Sequence, residues 1–204
     1  NKYLSNIYIL DGHNKTLQLT SLNEEKSFIW KDNDTILFPA LREKKHKERK
    51  ERFEPFTRFY EINIYGGEGK FAFELPVNVK SIQVVSEDDY LISAEFNPML
   101  GNYASLDEEQ KKLYMKDLKA SKDYEILDEI PFWFNGEGFT NKKRTKLYTY
   151  NIKDKKLIPI TDDFSNVETY TLNKDHTKIA IIDSYFVDRK STTTELNIYD
   201  LKEN

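Results

Sequence analysis

Short runs with apolar residues at alternate positions, broken by clusters of Asp, Asn, Gly and Lys, fill most of this 204-residue chain. A period of two marks half-buried β-strands, and the polar clusters mark turns. Near the start, strands are predicted at Ile7–Leu10, Leu17–Thr20, Ser27–Trp30 and Thr35–Ala40, separated by Asp11-Gly12, Asn23-Glu24 and Lys31-Asp32-Asn33-Asp34. A second set begins at Phe59, turns through Gly66-Gly67-Glu68-Gly69, returns as Phe71–Leu75, and continues through Ser81–Val85 and Tyr90–Phe96. A third set comprises Lys146–Ile152, Lys156–Ile160, Val167–Leu172 and Lys178–Ser184, with Asn173-Lys174-Asp175-His176 as the turn before its last strand. Asn and Asp suit that turn because they tolerate left-handed backbone and hydrogen-bond locally. Leu196–Tyr199 opens a fourth set.

One strand signature recurs: NIYILD at Asn6–Asp11, RFYEIN at Arg58–Asn63, KLYTYN at Lys146–Asn151 and ELNIYD at Glu195–Asp200. Anchored on Ile7, Phe59, Leu147 and Leu196, the spacings are 52, 88 and 49 residues. A period of about 40–50 residues built of strands and turns reads as β-propeller blades, small sheets that must stack to bury both faces. The expected architecture is all-β: one partial propeller domain over 1–204, about three blades of antiparallel strands with one short helical insertion. Its parts are blade 1 at about 6–41, a charged hairpin at 42–57, blade 2 at about 58–96, a helical insertion at 97–123, blade 3 at about 124–186 and the start of a fourth blade at 194–200. A chain that stops inside a repeat reads as a fragment of a longer protein. Open blade edges are expected to recruit partners, so self-association is expected unless the hairpin or the helix covers them.

The insertion accounts for the 88-residue gap. Ser105-Leu106-Asp107-Glu108 has a capping-box pattern, and Leu106, Leu113, Tyr114 and Leu118 follow at helical spacing, so one amphipathic helix is predicted. The segment REKKHKERKER, Arg42–Arg52, mixes both charges without an aromatic residue, which favours a solvated hairpin tip or loop over a basic docking patch.

Composition narrows the function classes. Lys and Arg number 31 against 35 Asp and Glu, a net charge of −4, so no global basic field exists to hold a nucleic-acid backbone. No nucleic-acid or membrane partner is expected. The absence of cysteine removes disulfides, thiolate metal sites and Cys nucleophiles together, and suits a reducing cytoplasm. There is no run of 18 apolar residues and no leader-like segment. Thirteen Tyr and 13 Phe supply an aromatic, β-rich core.

Catalytic patterns are missing. None of the 11 serines sits in a Gly-x-Ser-x-Gly elbow. His13, His46 and His176 fall in turns or the charged segment, where exposed positions are expected and where a catalytic base would lack rigid support. No HxH or HExxH arrangement is present, and neither a metal nor a cofactor is expected. The acid pairs Asp88-Asp89, Glu108-Glu109 and Asp162-Asp163 read as solvated turn or helix residues, since glycosidase chemistry needs two carboxylates facing across a cleft. Gly66-Gly67-Glu68-Gly69 has strands on both sides and reads as a hairpin turn, not a phosphate loop.

IPFWFNGEGF, Ile130–Phe139, is different in kind. Phe132, Trp133 and Phe134 are consecutive between Pro131 and the Asn135-Gly136-Glu137-Gly138 turn, so at least one ring must leave the usual buried face. It reads either as inter-blade packing or as a surface toward another domain.

Together, Asn1-Lys2-Tyr3 with NIYILD, ILFPALREKK with its charged continuation, FYEINIYGGEGKFAFELP, and EIPFWFNGEGF leading into RTKLYTYN make an ordered series covering essentially the whole chain. The series resembles the propeller of the S9 (prolyl oligopeptidase) family of serine peptidases, in its acylaminoacyl-peptidase-like bacterial branch. The resemblance implies a propeller that caps a C-terminal α/β-hydrolase domain of the same parent chain and admits short peptides to its Ser, Asp and His. No part of such a hydrolase domain is visible here, so no catalytic residue is assigned to this chain. The residues expected to face the catalytic domain or gate the substrate are Phe132, Trp133, Phe134 and Asn135, with Arg144 as a carboxylate partner. The alternatives are a free-standing WD40- or TolB-like interaction module and a carbohydrate-binding propeller.

Overall fold

The computed structural model describes residues 4–120, 123–124, 126–136, 138–140 and 142–202. Asn1-Lys2-Tyr3 and Glu137 of the sequence motifs lie outside the described residues. The chain divides into two compact units, Asn1–Pro76 and Val77–Asn204.

In the first unit, β1 (Tyr8–Leu10) and β2 (Thr16–Gln18) form a hairpin. Its turn is tied by Asp11 Oδ1, which accepts from the backbone of His13 and Lys15 at 2.8 Å each. A four-stranded antiparallel sheet follows, in the order β3 (Ile29–Trp30), β4 (Thr35–Pro39), β5 (Thr57–Asn63) and β6 (Lys70–Leu75). Ile36 and Phe38 alternate inward on β4, Tyr60 and Ile62 on β5, and they bury Ile7 and Leu19 of the hairpin region. Leu37 and Phe59, on the opposite face, are buried as well. Two buried faces explain why β4 reads as the continuous run ILF instead of an alternation. The predicted glycine hairpin connects β5 to β6, with Gly66 and Gly67 at φ of 108° and 110°.

The charged segment is not a hairpin tip: Lys44–Glu51 forms helix α1. It lacks an apolar stripe, so no helical periodicity was visible, and ion pairs hold it instead. Arg49 grips Glu54 (2.6 and 2.9 Å) and Glu74 on β6 (2.8 and 3.1 Å), and Arg58 on β5 reaches Glu74 at 2.7 Å. The Arg49 guanidinium also lies 3.8 Å from the Phe56 ring centre. Hydrogen bonds from Glu54 and Glu74 push the Arg49 pKa up. Burial works against the Glu74 carboxylate, but hydrogen bonds from Arg49 and Arg58 prevail and hold it below the usual range.

His46 corrects a second expectation. It is buried on α1, edge-on to Phe56, while His13 and His176 are exposed as expected. Burial first, then the nearby charges of Arg58, Lys45 and Arg49, lower its pKa against the opposing pull of Glu43. The unfolded chain therefore takes up this proton first. Stability from neutral His46 is full above the unfolded pKa, near 6.5, and declines as pH falls from there through the folded value. Urea titrations of the chain are expected to show this loss below about pH 6.5, and His46→Gln to flatten it; an unchanged profile would sink the assignment.

The second unit begins with β7 (Asn78–Val84) and β8 (Asp89–Phe96). The chain then makes an excursion through a 3₁₀ turn at Tyr103–Ser105, helix α2 (Glu108–Ala120) and the small hairpin of β9 (Trp133–Phe134) and β10 (Gly138–Phe139). It returns as β11 (Arg144–Asn151), which pairs directly with β8 from Phe96↔Arg144 to Asp89↔Asn151, and β12 (Lys156–Pro159) completes the sheet in the order β12-β11-β8-β7. The insertion is thus longer than 97–123 and includes the aromatic string. The expected helix is present, but its cap is Asp107 with Gln110, not Ser105 with Glu108: Asp107 Oδ1 accepts from Gln110 N at 2.8 Å and Gln110 Oε1 from Asp107 N at 3.0 Å.

A last antiparallel sheet, β13 (Ser165–Leu172), β14 (Lys178–Tyr185) and β15 (Glu195–Asp200), packs Val167, Ile179 and Ile181 against Leu91 and Leu147. The predicted turn between β13 and β14 forms, with Asn173 Oδ1 accepting from the backbone of Thr177 and Lys178 and His176 at φ 54°.

The sheets are out of phase with the expected blades. Phe59 and Leu147 lie on the third strand of four-stranded sheets, and Leu196 on the third strand of the last sheet. In these three copies the signature marks the third strand of a sheet, whereas NIYILD falls on β1, the first strand of a two-stranded hairpin. Hairpin turns and sheet-to-sheet connections share the same polar residues, so the pairing boundary leaves no mark in the hydrophobic pattern.

Candidate functional site

The β9–β10 hairpin is fastened to the second unit at its base. Ile130 N donates to Asp188 O at 2.9 Å, and Lys190 N donates to Ile130 O at 2.7 Å. Lys142 bridges Asp188 (2.8 Å) and Asp128 (3.3 Å), and those hydrogen bonds, that to Asp188 foremost, raise its pKa. Beneath lies Arg144, only 1% exposed. Its Nη1 and Nη2 donate to Glu129 Oε1 and Oε2 at 3.2 and 2.7 Å, and Nη2 also points to the carbonyls of Phe186 and Val187 at 3.4 and 3.3 Å. The guanidinium carbon stacks 3.8 Å from the Phe186 ring centre. The carboxylate that Arg144 holds is thus supplied by the chain itself.

Phe132, Trp133, Phe134 and Asn135 are all exposed, and none of the three rings is buried against the described strands. Trp133 pairs with Phe139, and Phe134 with Gly138 at φ 82°. Phe134, Phe139 and Pro131 form the apolar wall of a cleft of about 740 Å3, with Arg144, Glu129 and Phe186 at its lining. The lining also carries charges of both signs. Lys190 pairs with Glu168 at 2.6 Å and lies 5.7 Å from the Phe134 ring centre, Lys143 stands 3.7 Å from Glu95, and Lys80 donates to Thr145 Oγ1 at 2.9 Å. Apolar rings beside a few placed charges, in a volume within the usual range for ligand sites of about 300–1,000 Å3, can orient a small amphiphilic molecule.

The sequence motif brought Phe134, Asn135 and Arg144 to this cleft. Glu129, Phe186, Lys80, Glu168 and Lys190 escaped sequence reasoning, since nothing in their spacing joins them. One signal for Arg144 was available: with a period of two along RTKLYTYN it shares a face with Lys146, Tyr148 and Tyr150, all buried. The acid pairs serve local structure, as expected. Asp89 accepts from Ser86 Oγ and Asn151 Nδ2 at 2.7 Å each, Asp162 caps Phe164 N at 2.9 Å, and Asp163 pairs with the buried Lys146. No helix among the described residues is long and apolar enough to cross a membrane.

No family model and no curated protein matches the chain. Solved structures do. Pyrococcus horikoshii acylaminoacyl peptidase in an orthorhombic crystal form superposes with a TM-score of 0.58 at 13% identity, over 98% of this chain and 27% of that one. The same enzyme uncomplexed gives 0.56 at 14% identity, over 97% and 26%. An acylaminoacyl peptidase in complex with Z-Gly-Gly-Phe-chloromethyl ketone gives 0.50 at 15% identity, over 91% and 24%. The chain spans about a quarter of the length of these structures. At such identities the likeness concerns architecture alone, and it agrees with the sheets: this is an all-β chain with the fold of a partial β-propeller.

Proposed function

We propose that the chain is the propeller part of a serine peptidase of the acylaminoacyl-peptidase or prolyl-oligopeptidase type, associated with a C-terminal α/β-hydrolase domain and restricting access to short peptides. The observation that carries this reading is the superposition of 98% of the chain on an acylaminoacyl peptidase. The exposed aromatic hairpin supports it. Phe132, Trp133 and Phe134 present apolar surface, and Phe134 and Asn135 line the cleft, which suits a contact with a catalytic domain or a peptide. Arg144 acts behind them as a positioning residue, with Glu129, by holding the base of the hairpin.

The reading frame is expected to continue beyond Asn204 into a Gly-x-Ser-x-Gly strand-turn-helix. The protein it encodes should cleave short aminoacyl or acyl-aminoacyl chromogenic substrates and lose that activity to serine-directed inhibitors, while the 204-residue chain alone stays silent. A frame that closes without such a domain would return the weight to a free-standing interaction module.

A further inference from the structure

Two charged residues of the cleft lining, Lys80 and Glu168, share an uncommon backbone setting. In the β7–β8 ladder the register slips between Val79 and Ser81, so Lys80 is the extra residue of a β-bulge. In the β13–β14 ladder it slips between Val167 and Thr169, so Glu168 is the extra residue of another. β7 and β13 are outer strands of their sheets. A bulge re-aims its side chain and bends its strand, and bulges concentrate beside functional sites. Both residues line the 740 Å3 cleft, and both also line an adjoining hollow of about 360 Å3, together with Thr145 and Val167. The two hollows thus adjoin, with Lys80, Thr145, Val167 and Glu168 common to both linings.

We propose that these adjoining hollows bind an extended peptide segment, with Lys80 as the recognition cation for a carboxylate on the peptide and the Phe134 and Phe139 rings as the seat of an adjacent apolar side chain. Three observations select this ligand. Glu168, Lys143 and Arg144 already have carboxylate or cation partners at the site, whereas Lys80 has no carboxylate within ion-pair distance among the described residues and only a hydroxyl as partner. The carboxylates of Glu95, Glu129 and Glu168 around the lining oppose a multiply charged anion such as a phosphate ester, but leave room for a single carboxylate flanked by amide dipoles. Two adjoining hollows of about 740 and 360 Å3 give room for a chain of about three or four residues that spans both. This deepens the peptidase reading by naming a peptide subsite on the propeller. It is tested on the 204-residue chain itself, so a silent hydrolysis assay of the longer protein would leave it standing.

The test uses two capped peptides, Ac-Ala-Phe-Glu-Ala-amide and its Gln counterpart, titrated into the chain by calorimetry and by amide chemical shifts. The Glu peptide is expected to bind about tenfold more tightly, as a charge-assisted hydrogen bond gives, and the preference should shrink with added salt. Lys80→Met, at an exposed position, should abolish the preference without disturbing the fold, and Phe139→Ala should weaken both peptides. Equal affinity of the two peptides, a preference that survives Lys80→Met, shifts confined to residues outside the two hollows, or no binding of either peptide would each overturn the proposal. In those cases the bulges serve only to blunt two outer strands against edge-to-edge pairing.

Discussion

Replacing Glu129 by Ala should lower the free energy of unfolding by about 3–5 kcal/mol, the usual result of breaking a buried ion pair from one side. Glu129 and Arg144 have side chains 3% and 1% exposed, so neither charge can turn to water when its partner is lost. The Arg144 guanidinium would keep only its carbonyl contacts of 3.1–3.4 Å and its stacking on Phe186. The measurement is chemical denaturation in a Trp30→Phe background, where Trp133, the other of the two tryptophans, reports on the second unit. Removing both charges with Glu129→Leu and Arg144→Met should recover most of the loss, because no ion is then stranded. A single variant within about 1 kcal/mol of the parent would mean that the pair behaves as a solvated one. The double variant carries the functional interest. It should fold with the base of the β9–β10 hairpin held only by the Ile130 backbone bonds and the Lys142 bridges, which separates the pair's contribution to stability from its part in placing Phe134.

Leu147→Ala is expected to cost about 2–5 kcal/mol, as truncation of a fully buried leucine does. Leu147 is 0% exposed and joins the second unit's two large sheets through Leu91, Val167, Ile179 and Ile181. Leu196 holds the same place in the repeated signature, but it is 68% exposed on β15, the outer strand of its sheet. Leu196→Ala should therefore stay within about 0.5 kcal/mol, as surface substitutions do. Denaturation midpoints of the two variants, measured side by side, test whether burial or motif membership sets the cost. Similar losses for both would show that the outer face of β15 is covered in solution, as a paired or self-associated edge would require.

These two leucines also show where sequence reasoning reaches its limit. The period of two along NIYILD, RFYEIN, KLYTYN and ELNIYD is a property of each strand, because side chains alternate across any pleated backbone. It made the strands, most of their turns and the all-β class legible. It could not say which neighbour each strand pairs with. Burial follows from that pairing, and so Leu147 and Leu196 diverge. Helix α1 was illegible for a related reason: its stability rests on Arg49 reaching Glu54 and Glu74, and on stacking against Phe56, none of which leaves a periodic trace.

The candidate site divides in the same way. The amino-acid order alone made the aromatic string conspicuous and tied it to Arg144, since three consecutive rings cannot all face one side of a strand. Glu129 as the partner of Arg144, the bulges at Lys80 and Glu168, and the cleft joining them arise from strands brought side by side. Bulges depend on ladder register and ion pairs on distance, and neither is encoded in the spacing of residues along the chain.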